Sequence, residues 1–111
     1  MGFFGLGKSE EQKREEQIID EIRIYNMENV PFNYEIVSPG LYSWAVDTDY
    51  GKARNKALHA IKEGAYRMNA DCIIACKISQ SCTFGCFSGL INDKTSLVHV
   101  VDITGVSVRI L

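Results

Sequence analysis

Only two prolines, one tryptophan and two histidines occur in 111 residues. With so little proline there is no Pro-rich linker or polyproline recognition tail. Neither charge sign is in clear excess: twelve Lys and Arg stand against fourteen Asp and Glu, a formal net charge of -2. That balance excludes a surface built as a whole to neutralise phosphates, so no nucleic-acid partner is expected. Long apolar runs are missing too. The longest uncharged stretch, Ile78 to Asn92, spans fifteen residues but is broken by Ser79, Gln80, Ser81, Thr83, Gly85, Ser88 and Gly89, so no transmembrane segment is read there. The apolar tip Phe3-Phe4-Gly5-Leu6 is too short for a signal-peptide core and has no basic residues before it, and Leu6 stands where an acylation motif needs Ser or Thr. The expectation is a cytoplasmic protein whose tip is either loose or a peripheral contact with a membrane or partner.

What is present is an ordinary globular composition, 46% hydrophobic, 10% aromatic and 23% charged, enough for one domain. Ser9 and Gln12 fit a capping box, and Glu10-Glu11 suit the positive end of a helix dipole. The helix they open has no apolar stripe before Ile18-Ile19, which predicts a solvated, mobile arm: residues 1–21 read as a flexible or helical N-terminal arm and 22–111 as the domain. Strands are expected at Ile22–Met27, at Tyr34–Val37 and Leu41–Val46 around Ser38-Pro39-Gly40, at Asp71–Ser79, and at Thr95–Ile110. In the second of these segments Tyr42, Trp44 and Val46 share a face, the one expected to be buried. Asp47-Thr48-Asp49 caps the one strong helix, about Tyr50 to Met68. Its apolar face holds Ala53, Ala57, Ala60, Ile61, Gly64, Ala65 and Met68, and its outer face holds Lys52, Asn55, Lys56, His59, Lys62 and Glu63. That outer, basic side is either a solvated surface or a contact for something anionic.

In the last strand Leu97, Val101 and Ile103 have one parity, and Val106, Val108 and Ile110 the other. A bulge at Thr104-Gly105 would unite them on one face. The order of elements predicts an α+β fold: a two-layer β-β-α-β-β subunit with a mixed or antiparallel sheet and one main helix.

Four cysteines within fifteen residues, Cys72, Cys76, Cys82 and Cys86, are the sharpest anomaly. The spacing is Cys-x3-Cys twice, not the Cys-x2-Cys of a zinc knuckle. On a regular strand Cys72 and Cys76 share a face about 13 Å apart, too far for a common metal or a disulfide. A loop-like Ser79-Gln80-Ser81 would let Cys76 meet Cys82 or Cys86. Three readings stay open: incidental reduced thiols, a metal or redox site using Cys76, Cys82 and Cys86 with a divalent metal, or disulfides in an oxidising compartment. His99 reads as a satisfied or interface histidine, or else as a ligand or base. No cofactor is otherwise implied. No serine sits in a Gly-x-Ser-x-Gly turn, and Gly2, Gly5 and Gly7 follow no strand, so catalysis is not indicated. Arg54 projects between Ile61 and Ala65, on the apolar side of its helix. It snorkels, pairs with Asp71 or a neighbouring subunit's carboxylate, or faces a ligand.

Several ordered segments resemble the YbjQ-like family. "IRIYNMENVPFNYEIV", Ile22 to Val37, is similar to that family's opening strand, Ile/Val-Pro turn and Tyr-Glu-Ile/Val strand. "KARNKAL", Lys52 to Leu58, is close to its Lys-Ala-Arg-x-x-Ala-Leu; "NADCII", Asn69 to Ile74, and "TGVSV", Thr104 to Val108, occupy the places of two further motifs. The resemblance covers Ile22 to Leu111 and implies a ring-forming subunit of the dodecin-like or YbjQ-like kind. Such a subunit is typically a homopentamer, non-catalytic, with a heavy-metal-binding label and a small ligand or metal at subunit boundaries. Asn69 departs from the family by replacing its helix-ending glycine, and the cysteines lie outside its pattern. Ring assembly would give Arg54, Phe84, Phe87, Leu90 and Ile91 an interface role, since those apolar side chains exposed on a monomer would favour aggregation.

Overall fold

Ser9 begins the first helix as its spacing predicts: its hydroxyl accepts from the Gln12 amide while the Gln12 side chain accepts from the Ser9 amide. The structure, a computed structural model, describes residues 9–85 and 96–111, with backbone only at Phe84, Gly85 and Ser96. Its elements in order are α1 (Glu10–Asp20), β1 (Arg23–Ile24), β2 (Tyr34–Asp47), α2 (Tyr50–Arg67), β3 (Cys72–Gly85) and β4 (Ser96–Ile110). The four strands form one mixed sheet in the order β1-β3-β4-β2, with β1 parallel to β3 and β4 antiparallel to both of its neighbours. The β2-α2-β3 connection therefore steps over β4, and α2 lies across one face of the sheet, which makes the α+β, two-layer architecture expected from the order of elements.

Close approach sets the packing. α2 buries Ala53, Ala57, Ile61 and Ala65, one residue in every four, and this stripe of mostly small side chains brings the helix near the sheet. β2 meets it with Leu41, Ser43 and Ala45, and the Ser43 hydroxyl donates to the Ala57 carbonyl at 2.7 Å. A Cβ on Gly64 would stand 3.3 Å from Leu41. Bulky aromatics would hold the helix off, which is why the expected parity of β2 is reversed. Tyr42 and Trp44 are 56% and 59% exposed on the face away from α2. Ala60 and Met68, expected in the buried stripe, are also exposed.

β4 passes Gly105 without a bulge. The register shifts lie in its neighbours, between Ile36, Ser38 and Leu41 in β2 and between Ile74 and Lys77 in β3, where Ala75 takes φ 52°. The two hydrophobic parities of β4 therefore stay on opposite faces. Val101 and Ile103 join the core under α2, together with Ile61, Ile73 and Cys76. Val108 joins a second cluster with Cys72 and Ile74, covered by Tyr25, Val30 and Phe32 from the segment that precedes β2 and by Tyr34 at the start of β2. The Ala75 bulge also sends Cys72 and Cys76 to opposite faces, rather than to the shared face expected on a regular strand.

α1 docks on the outer side of α2. Ile19 is 2% exposed, Lys62 Nζ donates to the Asp20 carbonyl at 2.9 Å, His59 stands 3.5 Å from the Asp20 carboxylate, and the Tyr66 hydroxyl donates to Glu15 at 3.3 Å. The basic face of α2 thus meets an anionic surface within its own chain, and α1 is not the wholly solvated helix its polar sequence predicts. At the far end of α2, Asn69 takes the left-handed conformation, φ 61°, in place of a glycine.

Candidate functional site

Among the described residues, the sheet ends in two unpaired edges. β1 bonds β3 only as far as Cys76, whose amide donates to the Tyr25 carbonyl at 2.9 Å. Beyond it, among the described residues, β3 from Ile78 to Gly85 has β4 on one side and nothing on the other. Apart from Lys77 at its start, this free edge carries no charge and no proline, the two features that usually keep strand edges from pairing with other chains. β2 forms the opposite border, and its Leu41–Val46 stretch is uncharged as well. The described body measures 52 × 43 × 18 Å, with a radius of gyration of 16.8 Å against about 13 Å for a compact chain of this length. Among the described residues, no third layer covers Tyr42 and Trp44. The Tyr42 hydroxyl is held by Asp102 at 2.6 Å, and that carboxylate raises the phenol's pKa from its usual 10.0.

Arg54 marks the point where β1 gives out. It is exposed and lines a groove with Ile24, Tyr25, Asn26, Cys76 and Ile78. Among the described residues it has no ion-pair or hydrogen-bond partner. Asp71, the partner considered from sequence, instead accepts from the Ile110 amide at 2.7 Å, so the two do not meet.

The cysteines separate. Ser79-Gln80-Ser81 continues β3 instead of turning, so Cys76 and Cys82 lie six residues along one strand, about 20 Å apart by strand rise. They cannot share a metal within one chain. Cys72, Cys76 and Cys82 are free thiols. Burial pushes the Cys72 and Cys76 thiols up, at Cys76 against the opposing pull of Arg54. Cys82 is exposed, and its Sγ stands 3.3 Å from Nδ1 of His99, its direct partner in the β3–β4 ladder. Gln80 reaches the same nitrogen at 3.4 Å, and Tyr50 packs edge-on to the imidazole with ring centroids 6.0 Å apart. Sequence spacing alone missed this pairing, because Cys82 and His99 meet only once the register of two strands is known. Among the described residues, no group of three His, Cys, Asp or Glu side chains is placed to hold a metal ion. Cys86, Phe87, Leu90 and Ile91 lie outside the described residues, as does the Phe84 side chain. No described helix is long and apolar enough to cross a membrane.

No family model and no curated protein matches the chain. Its fold is similar to that of a crystal structure from Pediococcus pentosaceus ATCC 25745, a protein of unknown function that belongs to the DUF74 family. The TM-score is 0.59 with 16% identity over 81% of this chain and 98% of that one. At that identity the likeness is one of fold.

Proposed function

We propose that this chain is a non-catalytic, ring-forming subunit of the YbjQ-like type, assembled edge to edge from identical copies. The observation that carries the reading is the uncharged, unpaired edge of β3 at Ile78–Gly85, opposite a second free edge on β2. Two different edges of one sheet pair head to tail, and head-to-tail contacts close into rings or run on into fibres. The family resemblance favours five copies. Phe84, Phe87, Leu90 and Ile91, which stand at or after this edge in the sequence, are the apolar residues this reading assigns to the interface. Arg54 stands where a neighbouring strand would enter, which makes the subunit boundary a place for a carboxylate of the next copy or for a small anionic ligand. A metal held between copies is a further role for that boundary. The proposed body is the domain 22–111, with 1–21 an arm whose described part, from Ser9, docks through Ile19.

Light scattering on the purified chain tests this. The expected mass is five times the 12.4 kDa chain, falling to 12.4 kDa in the Ser79→Lys, Ser81→Lys double variant, whose substituted residues are exposed and need not disturb the fold. A wild-type species of one chain mass at micromolar concentration would falsify the proposal. The runner-up, a metal or redox sensor built on Cys76, Cys82 and Cys86 together, is disfavoured by the strand that separates the first two.

A further inference from the structure

Register brings a thiol and an imidazole together on an open part of the sheet. Residues directly opposite in an antiparallel ladder have Cβ atoms about 4.5–5.5 Å apart, so the register itself sets the Cys82 and His99 side chains beside each other. Two polar groups converge on Nδ1 of His99: Cys82 Sγ at 3.3 Å and the Gln80 side-chain nitrogen at 3.4 Å. In the tautomer that carries its hydrogen on Nε2, the single lone pair of Nδ1 is the acceptor for the thiol proton. Tyr50, the first residue of α2, holds the ring edge-on. Asp47, opposite His99 on β2, is already engaged by Lys56 at 2.8 Å and by the Asp49 amide at 2.9 Å. A nucleophile, a base within reach of it and groups that orient the base are the elements of an activated thiol, and here the sulfur is exposed.

We propose that Cys82 and His99 form a stoichiometric thiol-exchange site for small disulfides. The thiol proton passes to Nδ1 of His99, and the sulfur attacks one sulfur of the incoming disulfide. A new S–S bond to Cys82 forms as the old one breaks; Cys82 is oxidised, and the leaving sulfur is reduced and takes the proton back from the imidazolium. His99 acts as a positioned base in each exchange. Cys72 and Cys76 do not compete, being buried in the two cores.

The test uses the full chain carrying Cys86→Ser, so that no nearby thiol displaces the adduct, treated with oxidised glutathione and mapped by peptide mass. Cys82 should gain the glutathionyl group about ten-fold faster in the folded protein than in the urea-unfolded one at the same pH. His99→Phe keeps an aromatic ring against Tyr50 but removes the base, and should bring Cys82 down to the unfolded rate. A folded rate no higher than the unfolded one overturns the proposal, as does an unchanged rate in His99→Phe or a first adduct on Cys72 or Cys76. Should His99→Phe fail to fold, the folded-to-unfolded ratio in the parent chain decides alone.

Discussion

One methyl group added at Gly105 probes how tightly the sheet is built where the two cores meet. A Cβ there would lie 2.5 Å from Cγ2 of Ile73 and 3.5 Å from the Ile74 carbonyl oxygen. Ile73 is fully buried under α2, and moving its Cγ2 clear takes a χ1 change that a β-branched side chain in a packed core resists, or a shift of the strand. Overpacking of this kind costs about 1–3 kcal/mol. Replacing a strand glycine with alanine returns about 0.5–1 kcal/mol through the lost freedom of the unfolded chain, and nothing opposes that return because Gly105 is not in the left-handed region. Gly105→Ala should therefore lose about 1 kcal/mol net, read as a lower urea midpoint by circular dichroism and a Tm lower by about 4–8 °C. Ile73→Ala alone should cost about 2–5 kcal/mol, but with Gly105→Ala the new methyl enters the space vacated. The double variant should then be more stable than the sum of the single effects by about 1 kcal/mol or more. A neutral Gly105→Ala, or strict additivity in the pair, would refute the close-approach account.

The left-handed backbone at Asn69 predicts that Asn69→Gly is neutral or slightly stabilising, while Asn69→Val loses about 1–2 kcal/mol in the same urea assay; equal stability of the two variants would contradict it. Lys56 and the Asp49 amide hold the Asp47 carboxyl at about 2, below its ordinary 3.8. The folded state therefore binds this proton less readily than the unfolded one, so the stabilisation is complete above the ordinary value and lost as pH falls towards the folded one. Lys56→Met should flatten the acid side of the midpoint-against-pH curve, and an unchanged slope would show that this pair does not contribute. Trp44, the only tryptophan, is exposed beside the β2 edge, so its emission should shift to shorter wavelength as concentration drives assembly. Constant emission while the scattered mass rises would show that copies meet elsewhere.

The helix was legible because its signals are local: Asp49 caps it, alanines recur at the right period, and Asn69 ends it. The capping box of α1 was legible for the same reason. What sequence missed depends on matching one element to another. The buried face of β2 is set by the small residues of α2, so Ser43 and Ala45 turn inward and the aromatics outward, against the usual weight given to bulk. The docking of α1 on α2 joins two faces that each look solvated when read alone. The length of β3 was underread because Ser79-Gln80-Ser81 has loop-like composition, yet its backbone is held by β4. Placing that segment in a loop also separated Cys82 from His99, which the ladder sets opposite each other.

The straight course of β4 between two irregular neighbours bears on which length changes the chain can accommodate. Removing or adding one residue in β4 before Gly105 would turn Val101 and Ile103 away from α2, or carry Val106 and Val108 away from the segment that shelters them. The same change at Pro39 or Ala75 falls where the partner strands already hold a surplus residue. Single-residue insertions and deletions among natural variants of this fold should therefore gather in β2 and β3 at those two places, while β4 keeps its residue count.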